Sequence, residues 1–281
     1  MRVAFGNWKY LFKNFGYVLI CGLVPAIFLA LSFDYTAISS VLHGFLSGNP
    51  LAMRGPGKLN LFLQFLSAFG PIRIDSVLDG VYTVLAYVLS SLFASLLLAL
   101  VEKHMRIGKR SFSGMGTEMR HLLLPTFLIV LLFYALGETS AIILSALLFM
   151  IFSLNATAIV YLLSILAMLV IFFLFLYVFE VFYLWLPCMQ ITCFRPYHAF
   201  LYSYRLSMGV RWKLIGAHAL SIVVAVVVLG GMAFLPELAF RSSALVVSLL
   251  LFAGMFIRME TVYFATDKLD REDIIQSYKE L

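Results

Sequence analysis

Charged side chains are scarce in this chain: they make up 12% of its 281 residues, whereas 63% of the residues are hydrophobic. Soluble domains carry about twice that share of charged residues. A folded soluble chain of this length also leaves a sizeable part of its surface in contact with water. The mean hydropathy of +1.02 therefore excludes an ordinary soluble domain. We expect an integral membrane protein whose apolar surface is largely covered by lipid.

The chain also lacks the residue patterns of common catalytic and cofactor sites. Its three cysteines, Cys21, Cys188 and Cys193, are odd in number and show no C-x-x-C spacing, which argues against disulfides, a redox pair or a thiolate metal site. No phosphate-binding glycine loop, dinucleotide fingerprint, zinc-protease helix or nucleophile elbow occurs. The five histidines have no metal-ligand spacing. We therefore predict a protein that is not an enzyme and binds no cofactor or metal.

Long apolar runs are abundant instead. A membrane-spanning helix needs about 20 mostly apolar residues; five stretches reach that length and a sixth is slightly shorter. The predicted spans are 15–33, 77–101, 121–136, 156–186, 214–235 and 243–263. The predicted fold is all-α and polytopic, with six transmembrane helices in three hairpins. Residues 1–264 form the transmembrane domain, and residues 265–281 form a short cytoplasmic tail that packs on the elbows, binds a partner or stays in solvent.

Two further apolar segments are too short to cross a membrane. Counting 141–153 as a span would give seven helices and place the basic segment 195–213 outside, against the positive-inside rule. Six spans with both termini in the cytoplasm leave only four of the 20 Lys and Arg residues outside, namely Arg54, Lys58, Arg73 and Arg241. We therefore predict that 141–153 is a re-entrant or interface-lying segment, and that 59–69 is an amphipathic helix in the outer interface.

The segment 195–213 (RPYHAFLYSYRLSMGVRWK) carries a basic and aromatic pattern. After Pro196 it predicts a short amphipathic helix with Ala199, Tyr202 and Leu206 towards the membrane. Its polar edge forms a predicted cytoplasmic elbow, made of Arg195, Arg205, Arg211, Trp212 and Lys213. Such an elbow either anchors the chain on anionic lipid, which is the simpler interpretation, or docks a cytoplasmic protein.

A family resemblance rests on this elbow and on the start of the chain. Trp185-Leu186-Pro187 is followed by Ser203-Tyr204-Arg205-Leu206 and by Gly209, Trp212 and Lys213. The order resembles bacterial six-helix membrane families, namely the YciC-like proteins and the membrane domain that accompanies some glycerophosphodiester phosphodiesterases. The opening segment 8–15 is similar to the start of the same group. YesL-like proteins, found beside sugar-uptake systems, are a second family that the chain resembles. The resemblance implies a bacterial cell-membrane protein and no catalytic residues.

Ionisable side chains within the spans are costly in lipid and are therefore the first functional suspects. Four of them form a predicted intramembrane cluster: Glu180, His218, Arg258 and Glu260. A Glu180–Arg258 or Glu180–His218 contact would suit a proton or ion relay. The simpler interpretation is structural pairing, or snorkelling of the longer side chains to the interface.

Two functions from different classes remain. Because few polar side chains are predicted to face the interior, the sequence favours a non-enzymatic accessory subunit or scaffold of a bacterial envelope or transport system. Its partners would be membrane lipids and a protein at the elbows or tail; the net charge of +6 lies in clusters between spans and predicts no nucleic-acid partner. The alternative is a small transporter or channel with a polar path near Glu180, His218 and Glu260. A lipid-acting enzyme would need a nucleophile or base that the sequence does not offer.

Overall fold

A computed structural model describes residues 2–46, 58–73, 76–108, 114–153, 158–192 and 195–279. These residues form eleven α-helices and no β-strand, which confirms the predicted all-α class. The helices are α1 (Arg2–Lys13), α2 (Phe15–Ser32), α3 (Tyr35–Leu46), α4 (Lys58–Phe69), α5 (Val77–Ile107), α6 (Met115–Ser153), α7 (Ala158–Tyr183), α8 (Trp185–Thr192), α9 (Pro196–Met208), α10 (Arg211–Met232) and α11 (Glu237–Lys279).

Within the described part of the chain, six helices are long and apolar enough to cross a membrane. These spans are Phe15–Ser32, Val77–Arg106, Met115–Ile151, Leu162–Thr192, Arg211–Met232 and Glu237–Asp267. The predicted number is confirmed, and the chain is a multi-pass membrane protein. The two spans of each predicted hairpin are in contact: α2 with α5, α6 with α7, and α10 with α11. Helices α2, α5 and α11 also contact one another, so they form the centre of the bundle.

The segment 141–153 does not form the separate re-entrant or interface-lying element that the sequence predicted. It continues α6, which is one helix of 39 residues, or about 58 Å at 1.5 Å per residue. The hydroxyls of Thr139 and Ser140 donate to the carbonyls of Ala135 and Leu136 one turn earlier, so these polar groups are satisfied inside the helix. The prediction is wrong because this polar stretch does not interrupt the helix.

Helix α4 coincides with the helix predicted at 59–69. It packs on α3 and α6, with Gln64 and Phe65 buried and with Leu63 and Phe69 exposed. One face of α4 therefore lies against the protein, and its position in the outer interface of a membrane stays a prediction.

Two of the basic residues predicted outside bind the C-terminal end of α2. Arg241 of α11 donates to the carbonyl oxygens of Phe33 at 2.8 Å and Ala30 at 3.3 Å. Arg73 donates to the carbonyl of Ser32 at 3.5 Å. The last carbonyl groups of a helix have no partner within it, and cationic side chains satisfy them while complementing the helix dipole. These two arginines therefore stabilise the end of α2 and the chain that follows it.

Replacing Arg241 by Met is expected to lower the free energy of unfolding by about 1–2 kcal/mol, because the carbonyl groups lose a charge-assisted donor. The midpoint of thermal unfolding in detergent measures the loss. Arg205→Met is the matched control: its side chain is exposed on α9, so we expect a change within about 0.5 kcal/mol. Equal midpoints for the two variants would contradict the assigned role of Arg241.

Asp34 precedes α3 and caps its first turn. Its carboxylate accepts hydrogen bonds from the Ala37 N–H at 2.9 Å, the Thr36 hydroxyl at 2.7 Å and the Ser67 hydroxyl at 2.8 Å, and lies 3.5 Å from Arg73. Burial alone would raise the pKa of Asp34, but the three hydrogen bonds and the arginine charge outweigh it and lower that pKa below 3.8. The folded pKa is thus below the unfolded one. Ionised Asp34 therefore stabilises the fold above pH 3.8, and this contribution is lost as the pH falls through the folded pKa.

Asp34→Asn is expected to lower the unfolding midpoint at neutral pH, because the amide carries no charge for Arg73 and one of its heteroatoms cannot accept the hydrogen bonds. The difference between the unfolding midpoints of the two proteins should decrease as the pH is lowered to about 3. Thermal unfolding of both proteins across this range measures the difference. A difference that stays constant throughout would show that ionisation of Asp34 contributes nothing.

Candidate functional site

Glu180 of α7 and His218 of α10 form a hydrogen-bonded pair inside the bundle. The contact joins Oε1 of Glu180 to Nδ1 of His218, and both side chains are buried. Each is the ionisable residue of an otherwise apolar stretch, and α7 packs against α10, which brings the two together. Of the two contacts that the sequence left open for Glu180, the structure forms the one with His218.

Aromatic rings enclose this pair. The imidazole of His218 lies edge-on to Tyr183, with ring centroids 4.5 Å apart, and to Phe179, at 5.4 Å. The Tyr183 hydroxyl donates to the carbonyl oxygen of Met255 at 2.5 Å. Because the rings exclude water, the electrostatic interactions of Glu180 and His218 are stronger here than at a surface.

Arg258 of α11 is buried beside the same aromatic residues, with 2% of its surface exposed. Its NH2 group donates to the Ser221 hydroxyl at 3.2 Å, whereas its Nε has no hydrogen-bond partner. Among the described residues, no Asp or Glu oxygen lies within 4.0 Å of this guanidinium group. An arginine stays protonated even when buried. A positive charge without a direct ion pair therefore lies inside the bundle, and the Glu180–Arg258 contact, the other possibility that the sequence left open, is not formed.

Glu260 does not join this group. It is fully buried two residues after Arg258, which places it on a different face of α11. Neither carboxyl oxygen has a hydrogen-bond partner in the structure, and the charged group that acts on it is Glu102 of α5. The predicted cluster of four residues therefore separates into Glu180, His218 and Arg258 on one side and Glu260 on the other. The first three are called the triad below.

A cavity of about 200 Å³ lies beside the triad, between α1, α7, α10 and α11. Three polar residues line it: His218, Ser221 and Arg258. The remaining lining is apolar or aromatic, apart from the backbone at Gly254, where the Asn7 amide of α1 donates to the carbonyl oxygen at 3.1 Å. This volume equals that of about seven waters in the liquid. We call it the inner cavity.

A larger cavity of about 420 Å³ lies between α2, α4, α5, α6 and α11, next to Asp34. Its lining is also mainly apolar and includes the Ser248 hydroxyl, which is buried without a hydrogen-bond partner. Leu251 and Met255 line both cavities. These two side chains therefore stand between the larger cavity, which we call the outer cavity, and the inner one.

The elbow helix α9 packs on the protein. Its buried face is Ala199, Ser203 and Ser207, small residues four positions apart that allow close approach to α8 and α11. The predicted orientation of Ala199 towards the membrane is therefore wrong. The Tyr202 hydroxyl donates to Asp267 at 2.8 Å, which joins the elbow to the predicted tail. The tail backbone continues α11 as far as Lys279; its side chains after Asp267 lie outside the described ones.

Arg211 was predicted at the polar edge of the elbow, and it is buried instead. Its guanidinium group lies over the rings of Tyr204 and Tyr177, at 4.5 and 5.4 Å from their centroids, and donates to the Ser207 hydroxyl at 2.8 Å. The prediction is wrong because two aromatic faces and a hydroxyl provide an internal site for this cation. The exposed members of the elbow are Arg195, Arg205, Trp212 and Lys213.

The contribution of α1 to the inner cavity was missed at the sequence level. Trp8 lines the cavity, and Asn7, Leu11 and Asn14 are buried. These three residues recur at helical spacing, and that periodic pattern is a signal of a packed helix. This pattern predicts that the basic segment before the first span, which is α1, packs against the bundle.

Comparisons of the chain with protein-family models, with curated proteins and with solved structures give no match. The resemblance to YciC-like and YesL-like proteins therefore stays a prediction from two short motifs. Among the described residues, no group of three or more His, Cys, Asp or Glu side chains could hold a metal ion. The triad and its cavity are the features from which a function can be argued.

Proposed function

We propose that this protein transports a small solute across the membrane through the inner cavity, with the triad as its binding site. One observation carries the proposal: the buried side chains of His218 and Arg258 line a cavity inside a membrane protein. Ionisable groups at such depth are costly. Apolar residues of similar volume would often be at least as stable in their place, so charged groups beside a cavity favour a binding role over a scaffold that acts through its outer surfaces.

The relation between the two cavities supports a route for the solute. The outer cavity begins near Asp34, and the inner cavity ends at Arg258. Leu251 and Met255 separate them, and methionine in particular adopts several rotamers at little cost. In our proposal, rotation of these two side chains connects the cavities, and a few convergent polar groups bind the solute within a largely apolar wall, as is usual for small-molecule sites.

An accessory subunit, the function that the sequence favoured, is the second candidate. It is supported by the surface of α7, because the span Leu162–Thr192 is the least buried of the six described spans. Its exposed apolar residues include Leu162, Leu166, Leu169 and Phe173. Lipid covers such a face when the protein acts alone, and a helix of another membrane protein covers it in a complex.

Uptake by liposomes that contain the purified full-length protein tests the transport proposal. The panel is made of labelled sugars, amino acids, carboxylates and inorganic ions. Glu180→Gln keeps the size and hydrogen-bonding ability of the side chain but removes its charge. We expect it to reduce uptake at least about tenfold, the effect of about 1.4 kcal/mol, in a variant whose melting curve shows it to be folded at the assay temperature.

Glu237→Gln is the matched control, because that carboxylate is exposed at the start of α11, and its uptake should equal that of the unchanged protein. No uptake of any panel solute above that of empty liposomes would reject the proposal, as would unchanged uptake by Glu180→Gln. A stoichiometric protein partner that co-purifies in mild detergent would then favour the accessory subunit.

We further propose that both termini face the cytoplasm of a bacterial plasma membrane, as the positive-inside rule favours. Lys213 and Ser242 lie near opposite ends of the hairpin of α10 and α11, and both are exposed. In single-cysteine variants, a membrane-impermeant maleimide is expected to label Ser242→Cys in intact cells, and Lys213→Cys only after permeabilisation. Labelling of Lys213→Cys in intact cells would reverse the proposed orientation.

A further inference from the structure

We infer that the inner cavity binds a small organic carboxylate together with one proton, which is carried by Nε2 of His218. The inference rests on the proposed transport function and names its substrate class and coupling ion. Two unpartnered polar atoms carry it, namely Nε of Arg258 and Nε2 of His218. Both belong to side chains that are more than nine-tenths buried and that line the same cavity.

The charges of the triad determine the sign of the ligand. Arg258 is permanently positive. In the empty site of our inference, Glu180 is ionised and His218 is neutral, so the three charges sum to zero. A bound anion brings one negative charge into this low-dielectric interior, where an uncompensated charge is costly. Protonation of His218 returns the site to zero. The anion and the proton therefore stabilise each other, and each should bind more tightly when the other is present.

The hydrogen bond between Glu180 and His218 determines which nitrogen receives the proton. Nδ1 faces the carboxylate of Glu180, and it carries the hydrogen in the neutral ring because the carboxylate is an acceptor. Nε2 then holds the free lone pair and lacks a partner. A proton that binds there turns Nε2 into a donor, and the Glu180 carboxylate stabilises the resulting imidazolium.

The charged and titratable groups around His218 are few. From α7 they are Glu180 and Tyr183, and the Tyr183 hydroxyl already donates to the Met255 carbonyl. From α11 the group is Arg258. The side chain of α1 that lines the cavity is Trp8, which does not titrate. Oε2 of Glu180 also lacks a hydrogen-bond partner, but Glu180 does not line the cavity. Among the described residues that line it, Nε2 of His218 is therefore the group that can accept the proton.

The cavity also limits the shape of the anion. Nε of Arg258 and Nε2 of the protonated His218 are donors without a partner in the protein, and a carboxylate has two oxygens to accept from them. Phe175, Phe179 and Ile222 line the remaining space and suit an apolar body such as an aromatic ring or a short alkyl chain. The volume of about 200 Å³ excludes a complete diacyl lipid.

Benzoate is a suitable probe, and benzamide is its uncharged analogue of nearly equal shape. Isothermal titration calorimetry of the full-length protein in a neutral detergent, in buffers of different ionisation enthalpy, measures both affinity and proton uptake. We expect one proton to be taken up per benzoate bound at a pH above neutrality, tighter benzoate binding as the pH falls, and benzamide binding at least about tenfold weaker, the effect of one lost charge-assisted contact. Benzamide binding as tight as benzoate, or no proton uptake, would overturn the inference.

Variants separate the two roles within the site. His218→Gln is expected to abolish proton uptake and weaken benzoate binding, and Arg258→Lys to weaken benzoate binding with proton uptake retained. Ile222→Phe, which fills the cavity and leaves every charge in place, should also weaken binding. Arg211→Lys is the matched control, since it changes a buried arginine outside the cavity; it should leave benzoate affinity unchanged. Benzoate binding unaffected by His218→Gln, Arg258→Lys and Ile222→Phe, each shown by its melting curve to be folded, would overturn the assignment of the site.

A lipid headgroup is a second source of anionic oxygens. Adding phosphatidylglycerol or oleate to the detergent should leave benzoate affinity unchanged. Competition by either lipid with benzoate would overturn the soluble carboxylate as the ligand and assign the site to a membrane lipid.

The inference and the transport proposal fail separately. Uptake of a neutral solute without benzoate binding overturns the inference alone. Proton-coupled benzoate binding without uptake of any solute supports the assigned site and overturns transport.

Discussion

Gly22→Val is expected to destabilise the centre of the bundle by about 1–3 kcal/mol, the usual cost of overpacking. Gly22 of α2 is buried against α11, and a Cβ atom built there would lie 2.7 Å from Cδ1 of Leu249 and 3.8 Å from Cδ1 of Phe252. Real Cβ atoms essentially never approach a neighbour to 2.7 Å. Cδ1 of Leu249 ends a flexible side chain, which can rotate away from a Cβ atom. Valine adds two further methyl groups, so Leu249 and Phe252 must both repack and α2 packs less closely on α11.

The melting temperature in detergent measures this effect, and Gly216→Val is the matched control. Gly216 is also a helical glycine, in α10, but a Cβ atom there would meet nothing within 4 Å. Valine is slightly better than glycine within a helix, so the control should be as stable as the unchanged protein or slightly more so. Equal losses for the two variants would show that contact between α2 and α11 at Gly22 is not close.

Glu180→Leu is expected to cost about 3–5 kcal/mol, the usual effect of removing one member of a buried charged pair. Two groups lose their partner at once. The Nδ1 hydrogen of His218 loses its acceptor, and the positive charge of Arg258 loses the carboxylate that keeps the triad neutral. Thermal or denaturant unfolding in detergent measures the loss. Glu180→Gln also removes the charge but still accepts the hydrogen bond from Nδ1 of His218, so it should be destabilised less than Glu180→Leu.

A double-mutant cycle isolates the contact between Glu180 and His218. With leucine already at position 180, His218→Leu should cost about 1–3 kcal/mol less than it does in the unchanged protein, since the partner is already absent. Strictly additive losses would show that the two side chains do not interact. Both leucine variants should be inactive in the liposome assay even where they remain folded.

The number of spans could be predicted from the sequence because lipid imposes it. A helix must be long enough to cross the hydrocarbon and apolar enough to stay there, and both requirements are visible in composition. The continuation of α6 through 141–153 could not be predicted in this way. It depends on hydroxyl groups that bond within the helix and on Glu138, which accepts a hydrogen bond from the Ile72 N–H in another part of the chain.

The site was predictable in part for a related reason. Ionisable residues in an apolar run require partners, so Glu180, His218 and Arg258 could be identified and a contact between the first two was one of two open possibilities. The burial of Arg211 and the separation of Glu260 depend on which side chains of other helices surround them. The sequence around Arg211 does not show that the ring of Tyr204 lies beneath its guanidinium group. The sequence around Glu260 likewise does not show that this residue lies apart from the triad.

Helix α11 is continuous from Glu237 to Lys279, and this places the buried arginine and the contact with the elbow helix α9 on one element. Arg258 and Asp267 are nine residues apart, about 13 Å along the axis at 1.5 Å per residue. The Tyr202–Asp267 hydrogen bond and the buried Arg258 therefore lie on one continuous helix. A shift of α11 along its axis would change the contact with α9 and the surroundings of Arg258 together.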